Sequence, residues 1–365
     1  MEVILPNGEL VRTGQFAVTK GATKHLSKSS FGPSVDGLFL QSGFGIVTKI
    51  GMWMTPQPQT FMSCVMEVDD LEGLADMVDI LSELKRHDIL QNAPIVRNIV
   101  AWSSSTGPRH TYYTGSGAMP REVLRDIQRK LNIGYWMCKF AFYGPRQLVE
   151  ERFAATRSLV NQRAPKARLT GDIHVGKDGH DVDAAEIPAA QGGGGMCGVP
   201  DLWTLPVIDY RSAGVPGGVG GHSDFSPTLP ANGADVVDWY KCAQAIIEAE
   251  GFDSYAGGLL LDKTFIVIHM FIFNKADLSH RHRVERIIEN LFVEAKKRGI
   301  TKYRSHLNHM GMYSRSRWMG IFEANTDLDM VADMYDFNNH AYGRFVESLK
   351  VIDHLQPAIP LLTFV

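Results

Sequence analysis

The sequence predicts an α+β protein in which an antiparallel sheet is flanked by helices. Strand-like runs alternate with helix-like runs along most of the chain. The strand runs are rich in β-branched and aromatic residues. Turn signals such as Asn7-Gly8, between Val3-Ile4-Leu5 and Leu10-Val11, favour hairpins over parallel crossovers.

The elements follow in order. Val65–Arg86 begins as a strand and becomes a helix, which Asp70 can cap and whose apolar face is Leu71, Leu74, Val78, Leu81 and Leu84. Ile95–Trp102 reads as a strand, and Thr106–Gly117, with its Gly, Pro and Ser, reads as a linker. Pro120 suits the first position of a helix that turns Val123, Leu124, Ile127 and Leu131 inward. Tyr135–Tyr143 is an aromatic-rich strand, and a helix from Pro145 presents Val149, Phe153 and Val160. Residues 171–221 hold Gly192–Gly195, several prolines and Gly217–Gly221, and read as a long irregular region of the kind that is often functional. Asp235–Glu250 is helical and stops at Gly251; Phe265–Phe273 is a strand. Val284, Ile287, Ile288, Leu291 and Ala295 mark a last helix, closed by Lys296, Lys297, Arg298 and Gly299. Two domains are expected, one at 1–117 joined by 300–365, the other at 118–299.

Composition narrows the function. A chain of 365 residues with 44% hydrophobic and 21% charged residues is ordinary for a globular protein. A net charge of -3 makes no electrostatic case for nucleic acid or an acidic membrane surface. No apolar run is long enough to span a bilayer. Cys64, Cys138, Cys197 and Cys242 form no CxxC pair and read as free thiols of a reducing compartment, with no disulfide or zinc framework.

Several motifs bear on chemistry. Gly193-x-Gly195-x-x-Gly198 has the dinucleotide spacing, but no apolar strand precedes it and Val199-Pro200 follows, so it reads as a loop. His306-x-x-His309 and His280 with His282 lack acidic or thiol ligands at a useful spacing, which favours hydrogen-bonded histidines over a metal. Tyr303-Arg304 follows the helix stop directly. Taken alone it is a surface strand pair, or a phenol beside a guanidinium able to hold a phenolate. Phe31–Pro56 is apolar yet punctuated by Gly32, Gly37, Gly43, Gly45 and Gly51, which marks bends or close approach to another backbone or a ligand.

GLFLQSGFGIVTKIGMW (residues 37–53), GHSDFSP (221–227), FNK (273–275) and KYRSHL (302–307) stand in one order across the chain. Together they resemble the vanillyl-alcohol oxidase and para-cresol methylhydroxylase family of FAD-linked oxidoreductases. Gln91-Asn92-Ala93-Pro94 and Tyr143-Gly144-Pro145 are further family-like words. The resemblance implies part of a para-cresol methylhydroxylase-type FAD-binding domain, plus a cap domain at 118–299 that forms the substrate cavity. It implies FAD lined by Ser42, Gly45, Ile46, Val47 and Thr48, and joined covalently to His222. It makes Tyr303 and Arg304 the catalytic pair that holds the phenolic oxygen of a para-substituted phenol. Hydride then leaves the benzylic carbon for flavin N5, with oxygen as acceptor. A homo-oligomer in the cytoplasm or peroxisome is the implied setting.

The chain departs from the family pattern at named places. Ser34 stands where the family has a tyrosine, and AVTKGATKHLSK holds no counterpart of the acid near flavin N5. Ile266-Val267 occupy the place of paired histidines, and the end reads IDHLQPAIPLLTFV. Both ends look truncated relative to the family. The alternative reading is an inactive cap or oligomerisation fragment of such an enzyme.

Overall fold

The computed structural model describes residues 1–18, 21–27, 34–40, 42–188, 195–199 and 202–303. They fall into two units, Met1–Pro56 and Gln57 onward to Tyr303.

The first unit is built on strands β1 (Glu2–Ile4), β2 (Leu10–Arg12) and β3 (Ile46–Lys49), paired antiparallel in the order β2-β1-β3. The expected hairpin forms at Asn7-Gly8, where Gly8 takes φ +84° and the Asn7 side chain accepts from Glu9 N at 3.0 Å. Val3 is fully buried in the middle strand. A short helix, α1 (Gln15–Val18), follows β2.

The second unit is one sheet of nine strands with helices on it. Its strands are β4 (Thr60–Val68), β5 (Ile95–Asn98), β6 (Trp136–Gly144), β7 (Arg168–Val175), β8 (Gly220–Phe225), β9 (Pro227–Pro230), β10 (Ala256–Leu260), β11 (Thr264–Asn274) and β12 (Thr301–Lys302). The order is β12-β9-β11-β10-β5-β6-β4-β7, with β8 also on β11, and every pairing is antiparallel. Helices α2 (Gly73–Arg86), α5 (Arg146–Arg163), α6 (Gly233–Ala249) and α7 (Leu278–Lys297) cover one face. Their apolar stripes meet Cys64, Met66, Phe140, Phe225 and Phe271 in the main core. Helices α3 (Ile99–Thr106) and α4 (Arg121–Leu131), with residues 205–209, pack a smaller core on the other face around Ile99, Ile127, Val207 and Ile272.

Most helix ends obey local chemistry. Asp70 Oδ1 accepts from Gly73 N at 2.8 Å, and Asn232 and Asp277 cap α6 and α7. Gly251 and Gly299 close α6 and α7 at φ +74° and +67°.

Three expectations change. The boundary expected at 117/118 falls inside the second unit, because β4 and β5 hydrogen-bond along β6 and no cut there respects the sheet. The segment after Gly299 was expected to enter the first domain; Thr301 and Lys302 instead pair with Thr228 and Pro227 in this sheet, and residues 304–365 lie outside the described residues. Ile95–Trp102 is only half strand. At Asn98 the chain turns into α3, where Asn98 Oδ1 accepts from Ala101 N at 2.9 Å and starts the helix.

The family-like word at 91–94 has a structural role here. β5 stops pairing β6 at Ile95, and the side chains of Asn92 and Gln91 continue the ladder by accepting from Ala141 N at 3.1 Å and Tyr143 N at 2.9 Å.

Candidate active site

β8 and β9 form a nearly continuous edge along β11, broken at Ser226. His222 lies on β8 opposite Ile272 and is exposed. Side chains alternate across a strand. Phe225 points into the main core beneath the helices, so His222, Asp224 and Ser226 face the other way, as Ile272 does. Among the described residues the His222 imidazole has no hydrogen-bond partner. The glycines before it answer to packing: a Cβ at Gly220 would sit 2.5 Å from Asp209 Oδ1, and one at Gly221 would sit 2.6 Å from Lys275 Cγ.

Tyr303 is fastened to the same edge. Its N–H donates to Ser226 O at 2.7 Å, one step beyond the β12 pairing. By register Tyr303 shares the face of Ser226 and His222, and its ring is half exposed at 51%. At about 3.3 Å per strand residue the two side chains stand roughly 13 Å apart along the edge. Lys302, one residue before Tyr303 and opposite Pro227, turns to the helical side, where its ammonium lies 5.0 Å over the Phe225 ring and donates to Asp224 O at 3.2 Å. Burial pushes the Lys302 pKa down, against the pull of Asp224. Ser226 Oγ donates to Asp224 Oδ2 at 2.5 Å, which locks the break between the strands. Arg304 lies outside the described residues.

The other expected cofactor residues belong to the first unit. Gly45 is demanded by a backbone approach, since a Cβ there would lie 2.5 Å from Val3 Cγ1 and 3.0 Å from Ile4 O. Ser42 Oγ donates to Leu38 O, and Thr48 Oγ1 donates to Glu2 Oε1 at 3.1 Å. Those hydroxyls are therefore engaged locally. Glu2 is held below the usual carboxylate range by Arg12 and Lys49. Ile46 and Val47 are exposed on β3, whose outer edge pairs with no strand among the described residues. Ser34 is exposed and the described part of 15–27 brings no acid to β3, while Ile266 and Val267 are buried in β11.

The remaining motifs settle simply. Residues 195–199 of the glycine fingerprint form a turn closed by Gly198 N to Gly195 O at 3.3 Å. His280 Nδ1 accepts from Asn274 N at 3.3 Å. His306 and His309 lie outside the described residues, among which no group of three candidate metal ligands occurs. No described helix is long and apolar enough to cross a membrane. The four cysteines are free, and burial pushes the Cys64 thiol up to about 12.

Reading the sequence missed one cluster. Arg109, in the presumed linker, pairs with Asp253 at 2.7 Å across 144 positions, and Tyr210 and Arg211 join them. The lone local signal was a charged residue inside an otherwise small and polar stretch.

No family model matches the chain. It is 25% identical over 306 residues to the 4-cresol dehydrogenase [hydroxylating] flavoprotein subunit of Pseudomonas putida, covering 83% of this chain and 56% of that protein. A crystal structure of p-cresol methylhydroxylase with substrate bound superposes with TM-score 0.75 at 24% identity, over 85% of this chain and 57% of the other. The 4-ethylphenol oxidase of Gulosibacter chungangensis, in complex with isoeugenol, superposes with TM-score 0.74 at 26% identity, over 96% and 62%. The chain thus spans somewhat more than half the length of the relatives it matches. Mixed helix and antiparallel sheet, and relatives that cover most of the chain, agree with the motif order: the chain is similar in sequence and fold to flavoproteins of the vanillyl-alcohol oxidase and para-cresol methylhydroxylase family.

Proposed function

We propose that this chain is the substrate-facing part of an FAD-dependent oxidoreductase that oxidises para-substituted phenols, with oxygen as the acceptor. The observation that carries it is that exposed His222 and half-exposed Tyr303 share one sheet face, with Tyr303 tied to the end of β8 by its hydrogen bond to Ser226 O. The names of the relatives, a cresol dehydrogenase flavoprotein and an ethylphenol oxidase, support the substrate class.

The cofactor fits the residues present. His222 offers an exposed imidazole, without a described partner, as the covalent attachment point for the flavin. Gly45–Thr48 offer an outer edge of β3 that pairs with no strand among the described residues, while the Thr48 hydroxyl ties that strand to Glu2. When bound, FAD supplies at N5 the acceptor for the hydride that leaves the benzylic carbon. The protein's part is to hold the phenol. Tyr303 donates a hydrogen bond to the phenolic oxygen, and Arg304, always charged, keeps that oxygen ionised. Ionisation pushes electron density toward the para carbon and eases hydride departure. An intracellular setting and a homo-oligomer belong to the same proposal.

Kinetics test the assignment. Tyr303→Phe is expected to lower kcat/KM for a para-alkylphenol by roughly 10- to 100-fold, the worth of one hydrogen bond to a charged oxygen. Unchanged phenol oxidation in both Tyr303→Phe and Arg304→Lys would move the substrate to a non-phenolic alcohol.

A second reading, a non-catalytic cap or oligomerisation module, is favoured by the apolar surface of the first unit. There Ile50, Met52, Trp53 and Met54 are exposed. It predicts a colourless protein with no phenol-dependent turnover.

A further inference from the structure

Away from His222, a pocket of about 440 Å³ opens in the second unit between residues 109–116, 210–215 and the start of α7. Among the described residues its lining holds Arg109, Arg211, Arg283, His110 and His280, and no carboxylate. Asp253 lies behind it, and Asp277 approaches His280 from the side at 3.7 Å.

The arginines differ in what they have left to give. A guanidinium has five N–H donors. Arg109 uses all of its own: Nε to Asp253 Oδ2 at 2.7 Å, Nη1 to Tyr113 O at 3.3 Å and Gly115 O at 2.8 Å, Nη2 to Asp253 Oδ1 at 3.3 Å and to Gly117 O. It is structural. Arg211 donates from Nη2 alone, to Gly251 O at 3.0 Å and Asp253 Oδ2 at 3.3 Å. Its Nε and Nη1 bond to no described residue, although the side chain is only 7% exposed and lines the pocket. Asp253 cannot serve them, because it also accepts from Arg109, Met119 N at 2.8 Å and Tyr210 at 3.4 Å. A buried guanidinium with idle donors facing a cavity is costly unless something accepts from it.

The surroundings hold that guanidinium in place. It stacks over the Phe252 ring at 4.5 Å, and Arg283 lies over the same ring at 5.3 Å. Arg283 is fixed by Glu250 O at 3.2 Å and Ser279 O at 3.3 Å. His280 Nδ1 is an acceptor, so its neutral form carries the proton on Nε2. Gly214, at φ +78°, leaves room for His110: a Cβ there would lie 3.0 Å from His110 Cε1. Surplus positive charge also marks the titration. Burial, then Arg109 and Arg283, depress the Arg211 pKa against Asp253. Burial, then Arg211, Arg283 and Arg109, depress the His280 pKa against Asp277.

We propose that this pocket is a binding site for a phosphoryl dianion, held by the idle donors of Arg211 and by Arg283, with His280 and His110 at its sides. Guanidinium forks from two directions, with imidazoles at the sides, suit a compact tetrahedral dianion better than a single planar carboxylate.

Inorganic phosphate and glycerol 1-phosphate serve as probes on the full chain, by calorimetric titration and by thermal unfolding against sodium chloride of equal ionic strength. Saturable binding of phosphate, with a rise in Tm absent in chloride, is the expected result. Tighter binding of glycerol 1-phosphate than of phosphate would identify a phosphomonoester as the natural ligand; the reverse would identify free phosphate. Arg283→Gln, at the more exposed side, is expected to keep the fold and weaken binding about tenfold. Arg211→Lys, which keeps the charge but loses the fork, is expected to weaken it by a similar factor. Phosphate acting no differently from chloride on the native chain would overturn the proposal, as would equal affinity in native protein and both variants.

Discussion

The two units of this chain solve the same problem unequally. The second buries its apolar residues between a nine-stranded sheet and four helices, with a smaller core on the opposite face. Among the described residues, the first hangs a three-stranded sheet on a fully buried Val3 and leaves Ile46, Ile50, Met52, Trp53 and Met54 exposed. Burial of apolar surface is the main favourable contribution to folding. Stability should therefore reside in the second unit and stickiness in the first.

The largest effect is expected at the polar centre of the second unit. Asp253, 2% exposed at its side chain, neutralises Arg109 and Arg211 at once. Asp253→Asn leaves both guanidinium charges buried without their counter-ion and is expected to cost about 3–5 kcal/mol in urea unfolding. A loss under about 1 kcal/mol would show that water reaches the cluster.

Next comes pH. His269 is fully buried, accepts from Trp239 Nε1 at 3.0 Å, and has its pKa pulled down to about 4 by burial. The unfolded chain binds that proton near its ordinary value of 6.5, so it holds more protons than the native state between the two values. The stability due to neutral His269 is full above pH 6.5 and is lost as pH falls toward 4. Between pH 7 and 5 the native chain should lose about 2 kcal/mol that His269→Gln, which keeps an acceptor for Trp239, does not lose. Parallel pH profiles for the two proteins would contradict this.

The smallest effect on stability belongs to the first unit. Trp53, 77% exposed, can become Ser with a change within about 0.5 kcal/mol. Light scattering should nevertheless fall, because the exposed apolar stretch loses its largest member. A loss of several kcal/mol would mean that Trp53 is buried in solution.

What was legible in the sequence follows the same division. Helices α2, α4, α5, α6 and α7 carry a periodic apolar stripe and a cap or stop, and each stands where that pattern puts it, within a few residues. Helix α3 does not, because all of Ile99–Ser105 is buried and a helix buried on every side has no periodicity to distinguish it from a strand. The domain boundary was misplaced for a related reason: the pairing of β4 and β5 with β6 is non-local and leaves no mark on residues near 117. His222, Tyr303 and the glycine-rich segment were visible as motifs. The Arg109–Asp253 cluster was not, since its members lie far apart in sequence and meet only in the folded chain.

The most direct test of the central claim is the absorption spectrum of the purified protein before and after acid precipitation, with His222→Ala beside it. Yellow colour that stays with the precipitate of the native chain, and leaves with the supernatant in His222→Ala, is the predicted result. A colourless native protein, or colour that stays with the precipitate of the variant, would contradict flavin linkage through His222.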